Sequence, residues 1–116
     1  MAGTIVADTL SDGAGNTTAM DNAIYGSAKA WACFNGTTGT IKASYNVSST
    51  TRNSTGSYTI TFTNALTDAN YSIAGMNNSW VQCYTSKTSS SFLTQTFNST
   101  TGTSGDYSDV SVVVFR

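Results

Sequence analysis

The chain contains no histidine, no glutamate and no proline, and only 9% of its 116 residues are charged. Without histidine the commonest general base and the commonest zinc ligand are both missing. A Ser-His-Asp or Cys-His triad is therefore excluded. Without glutamate the carboxylates reduce to Asp8, Asp12, Asp21, Asp68, Asp106 and Asp109, which form no acid and nucleophile pair along the sequence. A non-enzymatic protein with no catalytic residue, no metal and no cofactor is expected. The missing proline removes a common guard of exposed sheet edges, so the edges of any sheet are expected to be covered by neighbouring subunits. The charged fraction lies well below the roughly 25% usual in soluble domains, and serine, threonine and asparagine carry the polarity instead. Lys29, Lys42, Arg52, Lys87 and Arg116 are scattered along a chain of net charge -1, which offers no basic patch for a nucleic acid. No apolar run approaches eighteen residues, Val112 to Phe115 being among the longest, so no membrane insertion is expected. The segment Met1 to Asp8 has no basic n-region, and Asp8 interrupts its apolar run, so synthesis in a cytoplasm without a signal peptide is expected.

What is abundant is alternation. Tyr58, Ile60 and Phe62 alternate with Thr59, Thr61 and Thr63, which describes a half-buried β-strand whose wet side is threonine. Ile41, Ala43, Tyr45 and Val47 repeat the pattern, with Lys42, Ser44, Asn46 and Ser48 on the other face. Strand signals cover 29–34, 40–48, 57–63, 70–76, 80–85, 91–97 and 107–115, joined by polar turns such as Asn35 to Gly39 and Ser54-Thr55-Gly56. This spacing predicts an all-β fold, a small antiparallel β-sandwich of about seven strands, jelly-roll or Ig-like, with a short N-terminal arm. The domain occupies 29–116 and the arm 1–28.

In the arm, Ile5, Val6 and Leu10 precede the glycine-rich turn Asp12-Gly13-Ala14-Gly15-Asn16. That turn lacks both the alternating oxygen ligands of an EF-hand loop and the lysine of a P-loop, and reads as an ordinary glycine turn. Thr18 and Asp21 have the spacing of a capping box, Ala19 to Tyr25 could form two helical turns, and Gly26 could end them. So short a helix needs tertiary support. The arm is read as an attachment or oligomerisation segment, or else as a strand and turn that complete the sandwich.

Cys33 and Cys83 both lie in strand signals and are expected as two buried thiols; a disulfide could form after lysis if their strands were neighbours. Several Asn-x-Ser/Thr triplets occur, among them those at Asn16, Asn35, Asn46, Asn53, Asn77 and Asn98, at the frequency such a composition produces by chance. Trp31 sits in a run apolar on both faces and is expected in the core. Asn77, Asn78 and Trp80, at a junction of loop and strand, form a candidate receptor or glycan surface, because aromatic faces stack on sugar rings while amides bond hydroxyls. The alternative for Trp80 is that it covers the end of the sandwich.

The run Gly26 to Thr37, followed by Ile41 to Ser49, Asn53 to Phe62 and Ala65 to Tyr71, resembles a domain of structural proteins of tailed bacteriophages, notably those of marine and cyanobacterial hosts. The resemblance covers about residues 4–75. It implies a virion surface protein of tail-fibre type that contributes to host attachment, made in the host cytoplasm, and it brings no catalytic residue. Its partners would be other virion proteins of the tail or capsid, further copies in a homotrimer, and a host-surface glycan. By analogy with fibre proteins, loops at 76–80, 86–91 and 99–106 are the candidate contact surface. A capsid decoration protein is the alternative, and a carbohydrate-binding module a third reading.

Overall fold

A computed structural model describes residues 2–78 and 81–116, the strand at 81–83 through its backbone. In chain order the elements are β1 (Thr9–Ser11), β2 (Thr17–Ala19), α1 (Met20–Gly26), β3 (Ala28–Phe34), β4 (Ile41–Tyr45), β5 (Val47–Ser54), β6 (Ser57–Phe62), β7 (Ser72–Asn77), β8 (Val81–Thr85), β9 (Ser91–Phe97) and β10 (Val110–Phe115). Strands β3 to β10 form two four-stranded antiparallel sheets, ordered β4-β3-β10-β7 and β5-β6-β9-β8. The protein is a small all-β sandwich, with eight strands where about seven were expected.

Alternation builds the core. In β3 the even positions Ala30, Ala32 and Phe34 are buried, and in β10 Val110, Val112 and Val114. From the second sheet come Tyr58, Ile60 and Phe62 of β6 with Phe92, Thr94 and Thr96 of β9. The sheets complement one another in volume, since alanines and valines of the first face the aromatic residues of the second. Phe34 meets Tyr58 edge-on at a centroid distance of 5.2 Å, and Phe62 meets Tyr71 in the same way at 5.7 Å. Each large apolar side chain buried there stabilises the fold by on the order of 1.5–3 kcal/mol. Thr59 and Thr61 lie half-buried on the outer side, as their alternation predicts.

The segment 40–48 is two strands rather than one. At Asn46 the backbone enters the left-handed region, φ 53°, and the chain passes from the first sheet to the second. Asparagine tolerates this conformation better than most residues. Its side chain also holds the corner. The amide nitrogen donates to the carbonyls of Lys29 and Asn64, both at 3.1 Å, while the amide oxygen accepts from the Asn64 N–H at 2.8 Å. The register shifts where Ile41 pairs with Phe34, so Ile41 packs on the core while Ala43 and Tyr45 are exposed. Of the predicted face, only Val47 is fully buried.

Trp31 is not a core residue. Both of its neighbours point inward, so it projects from the outer face of the first sheet, 39% exposed. Cys33 shares that direction and is free and half-buried among the described residues; the side chain of Cys83 lies outside them. The expected pair of buried thiols is thereby corrected at Cys33.

In the arm, β1 and β2 form a hairpin in which Thr9 pairs with Ala19, and α1 follows directly. The helix begins at Met20, with Ala19 as its cap residue and no side-chain cap. The Thr18 hydroxyl accepts instead from the Asn22 amide at 3.0 Å. Gly26 is the last helical residue and takes no positive φ, the chain turning extended at Ser27.

Candidate functional site

The sandwich has two chemically different ends. At the near end, where the arm enters β3, lie the Asn46 corner and the 86–91 turn, whose Ser90 and Ser89 carbonyls accept from Phe62 and Leu66 at 2.9 and 2.8 Å. Tyr71 places its hydroxyl between the Thr88 and Ser91 carbonyls at 3.0 and 3.1 Å. Burial pushes the phenol up to about 12. Arg116 closes this end with a two-point grip on Asp68, at 3.0 and 2.8 Å.

The far end gathers the β3–β4 turn, the β5–β6 turn and the long connection from β9 to β10. Gly36 N–H donates to the Tyr107 carbonyl at 2.8 Å, and Gly105 N–H to the Thr96 carbonyl at 3.2 Å. Asp106 is the centre of this end. Its carboxylate accepts from Arg52 at 3.0 and 2.6 Å, from the Gly56 N–H at 2.8 Å and from the Tyr58 hydroxyl at 2.9 Å. The Arg52 guanidinium, aided by the Gly56 and Tyr58 donors, holds Asp106 down from the usual 3.8 to about 2 despite partial desolvation. Burial, reinforced by the carboxylate, pushes Tyr58 up to about 12. Gly56 is fixed by the same arrangement: its φ is 66°, and a Cβ there would stand 2.6 Å from the Thr96 carbonyl oxygen.

Of the predicted receptor surface, Asn77 ends β7 half-buried, Asn78 is exposed, and Trp80 lies outside the described residues. Asn78 is engaged within the chain. Its N–H donates to the Asp109 carbonyl at 3.1 Å, its amide nitrogen to the Ser108 hydroxyl at 3.2 Å, and its amide oxygen accepts from the Asp109 N–H at 3.4 Å. Lys42 bonds the Ser108 carbonyl at 2.8 Å and pairs with Asp109, whose carboxyl it holds below its usual value. The 99–106 loop and the chain at 78 thus share the far end. The 86–91 loop lies at the near end instead, where the β8–β9 hairpin turns.

The predicted arm residues are all uncovered, Ile5 at 87%, Val6 at 92% and Leu10 at 43% exposure. Asp12 is used locally, its carboxylate accepting from the Ala14 and Asn16 N–H groups at 2.9 Å and from the Asn16 amide at 2.7 Å. An open cleft of about 300 Å³ at the near end brings together Tyr45, Asn46, Thr63 and Asn64, the residue types of a sugar patch. The Asn46 amide, however, is already committed to the corner.

Sequence reading missed the outer face of the first sheet. Tyr45, Trp31, Val113 and Ala74 stand in register across all four strands, and Cys33 pairs with Ser111, which pairs with Met76, in the adjacent row. Tyr45 and Met76 are 58% and 76% exposed. The signal was the single bulky residue between Ala30 and Ala32, which strand alternation turns away from the core. Comparison of the chain with family models, with curated proteins and with solved structures found no match.

Proposed function

We propose that the chain is a non-enzymatic surface structural protein of a tailed-phage virion, of fibre type, that contributes to host-surface attachment. The observation that carries this reading is the polarity of the molecule. An uncovered apolar arm leaves one end of the sandwich, and a braced cluster of polar loops, with Asn78, Arg52 and Asp106 among them, lies at the other. Such a body can be anchored by one end and present the opposite end to a host-surface glycan. The resemblance of residues 4–75 to tailed-phage structural domains supports the same assignment, with other virion proteins and further copies in a homotrimer as partners.

Capsid decoration is the second reading, and the exposure of Ile5, Val6 and Leu10 favours it, because an apolar arm suits a position laid across neighbouring capsid subunits. Antibody labelling of purified virions, viewed by electron microscopy, separates the two. Label at the tail is the expected result. Label spread over the capsid transfers the assignment to decoration, and particles without label remove both.

A further inference from the structure

Two apolar surfaces of this chain are left without cover. One is the arm, where Ile24 and Tyr25 join Ile5, Val6 and Leu10 in exposure and neither the hairpin nor α1 buries a single residue. A two-stranded hairpin and a seven-residue helix are each marginal alone in water, so this arm needs a surface to lie on. The other is the outer face of the first sheet. Its row of Tyr45, Trp31, Val113 and Ala74 crosses four strands, about 14 Å at the usual strand spacing, with Met76 and Cys33 in the next row. The chain's own arm leaves this face bare, since Trp31, Tyr45 and Met76 remain 39%, 58% and 76% exposed.

Charge decides what fits there. The arm contains Asp8, Asp12 and Asp21 and no cation, whereas residues 29–116 hold five cations and three carboxylates. All three of those carboxylates are taken, Asp68 by Arg116, Asp106 by Arg52 and Asp109 by Lys42. Among the described residues Lys29 and Lys87 have no carboxylate partner; the Lys29 ammonium donates to the Ile24 carbonyl of the chain's own arm and Lys87 to the Tyr71 carbonyl, so both charges are hydrogen-bonded but not neutralised. Lys29 lies on β3 two residues from Trp31, on the same outward side. An apolar, acidic segment is therefore the complement of an apolar face with a lysine at its margin.

We propose that the outer face of the first sheet is the acceptor for the arm of a second copy of this chain, with the apolar side chains of the arm on the Trp31 row and an arm aspartate opposite Lys29. Arm and face are different surfaces, so each copy gives its arm and receives another, an exchange that a homotrimer closes into a ring. The inference rests on reading the arm as an oligomerisation segment; it does not depend on where in a virion the protein sits.

The test uses the full chain with Cys83→Ser, which leaves Cys33 on the face as the acceptor thiol, and with Val6→Cys in the arm. Val6 is 92% exposed, so its replacement leaves the sandwich intact. Mild copper-phenanthroline oxidation of a mixture of tagged and untagged chains is expected to give disulfide-linked chains carrying both forms, while the Cys83→Ser parent gives none. Light scattering of the unmodified chain is expected to report a multiple of 12.1 kDa, lost in Trp31→Ser. A disulfide confined within single chains overturns the exchange, and a monomer by light scattering overturns the assembly. Oligomers that form without the crosslink overturn this face as the acceptor. None of these outcomes bears on the virion label, so failure here is distinct from failure of the proposed location.

Discussion

At Asp106 donors from three places in the chain, 54, 50 and 48 residues away, converge on one carboxylate whose side chain is only 17% exposed. An ionised acceptor is what makes the arrangement work, because it satisfies a guanidinium, a backbone N–H and a buried phenol together. Asp106→Asn keeps the shape and removes the charge. The expected loss is about 1–3 kcal/mol, the usual consequence of leaving buried donors poorly matched, together with faster hydrogen exchange at the Gly56 amide. Urea denaturation and amide exchange check this, and unchanged values in both would show that the carboxylate does not hold the far-end loops. Gly56→Ala belongs to the same locus. Its φ of 66° costs an L-residue roughly 1–2 kcal/mol before the contact with the Thr96 carbonyl is counted.

Among the elements, the corner at Asn46 fixes how the two sheets are joined, because it ends β4 and starts β5 in the opposite layer. Two contributions are separable there, the left-handed backbone and the amide bonds to Lys29 and Asn64. Asn46→Gly retains the first and loses the second; Asn46→Ala loses both. Stability from denaturant midpoints is therefore expected to fall from Asn to Gly to Ala, with Ala lower than Gly by about 1 kcal/mol. Equal values for Gly and Ala would mean that backbone strain is not what the asparagine relieves. The corner also marks the limit of what could be read from sequence. β9 was legible to the residue, since Phe92, Thr94 and Thr96 alternate with half-buried neighbours, and β6 nearly so. β5 beyond Ser48 was not, because only Val47 and Thr50 of that strand are buried and its polar remainder reads as a turn. The Asp106 cluster was equally hidden, since its partners meet only after two turns and a long connection are folded together. The end to which each loop goes is set by pairings such as β10 with β7, which no local pattern encodes.

For the whole molecule, two ion pairs staple the opposite ends, Arg116 with Asp68 at the near end and Arg52 with Asp106 at the far end. Arg116 and the Asn70 N–H hold Asp68 down from 3.8 to about 2, and Arg52 does the same for Asp106. A carboxyl whose folded value is depressed binds protons more readily in the unfolded chain, so its contribution is complete above the unfolded value and disappears as pH falls through the folded one. With neither histidine nor glutamate in the chain, little else titrates between neutrality and that range. Thermal midpoints are therefore expected to stay level from about pH 7 to 5, then to fall between about pH 4 and 2 as both staples are protonated. The paired substitution Asp68→Asn with Asp106→Asn should lower the plateau and flatten the acid limb, bringing the two curves together near pH 2. An acid limb just as steep in the double variant would place the acid sensitivity elsewhere, in Asp109 or Asp12, whose carboxyls are also held below their usual value.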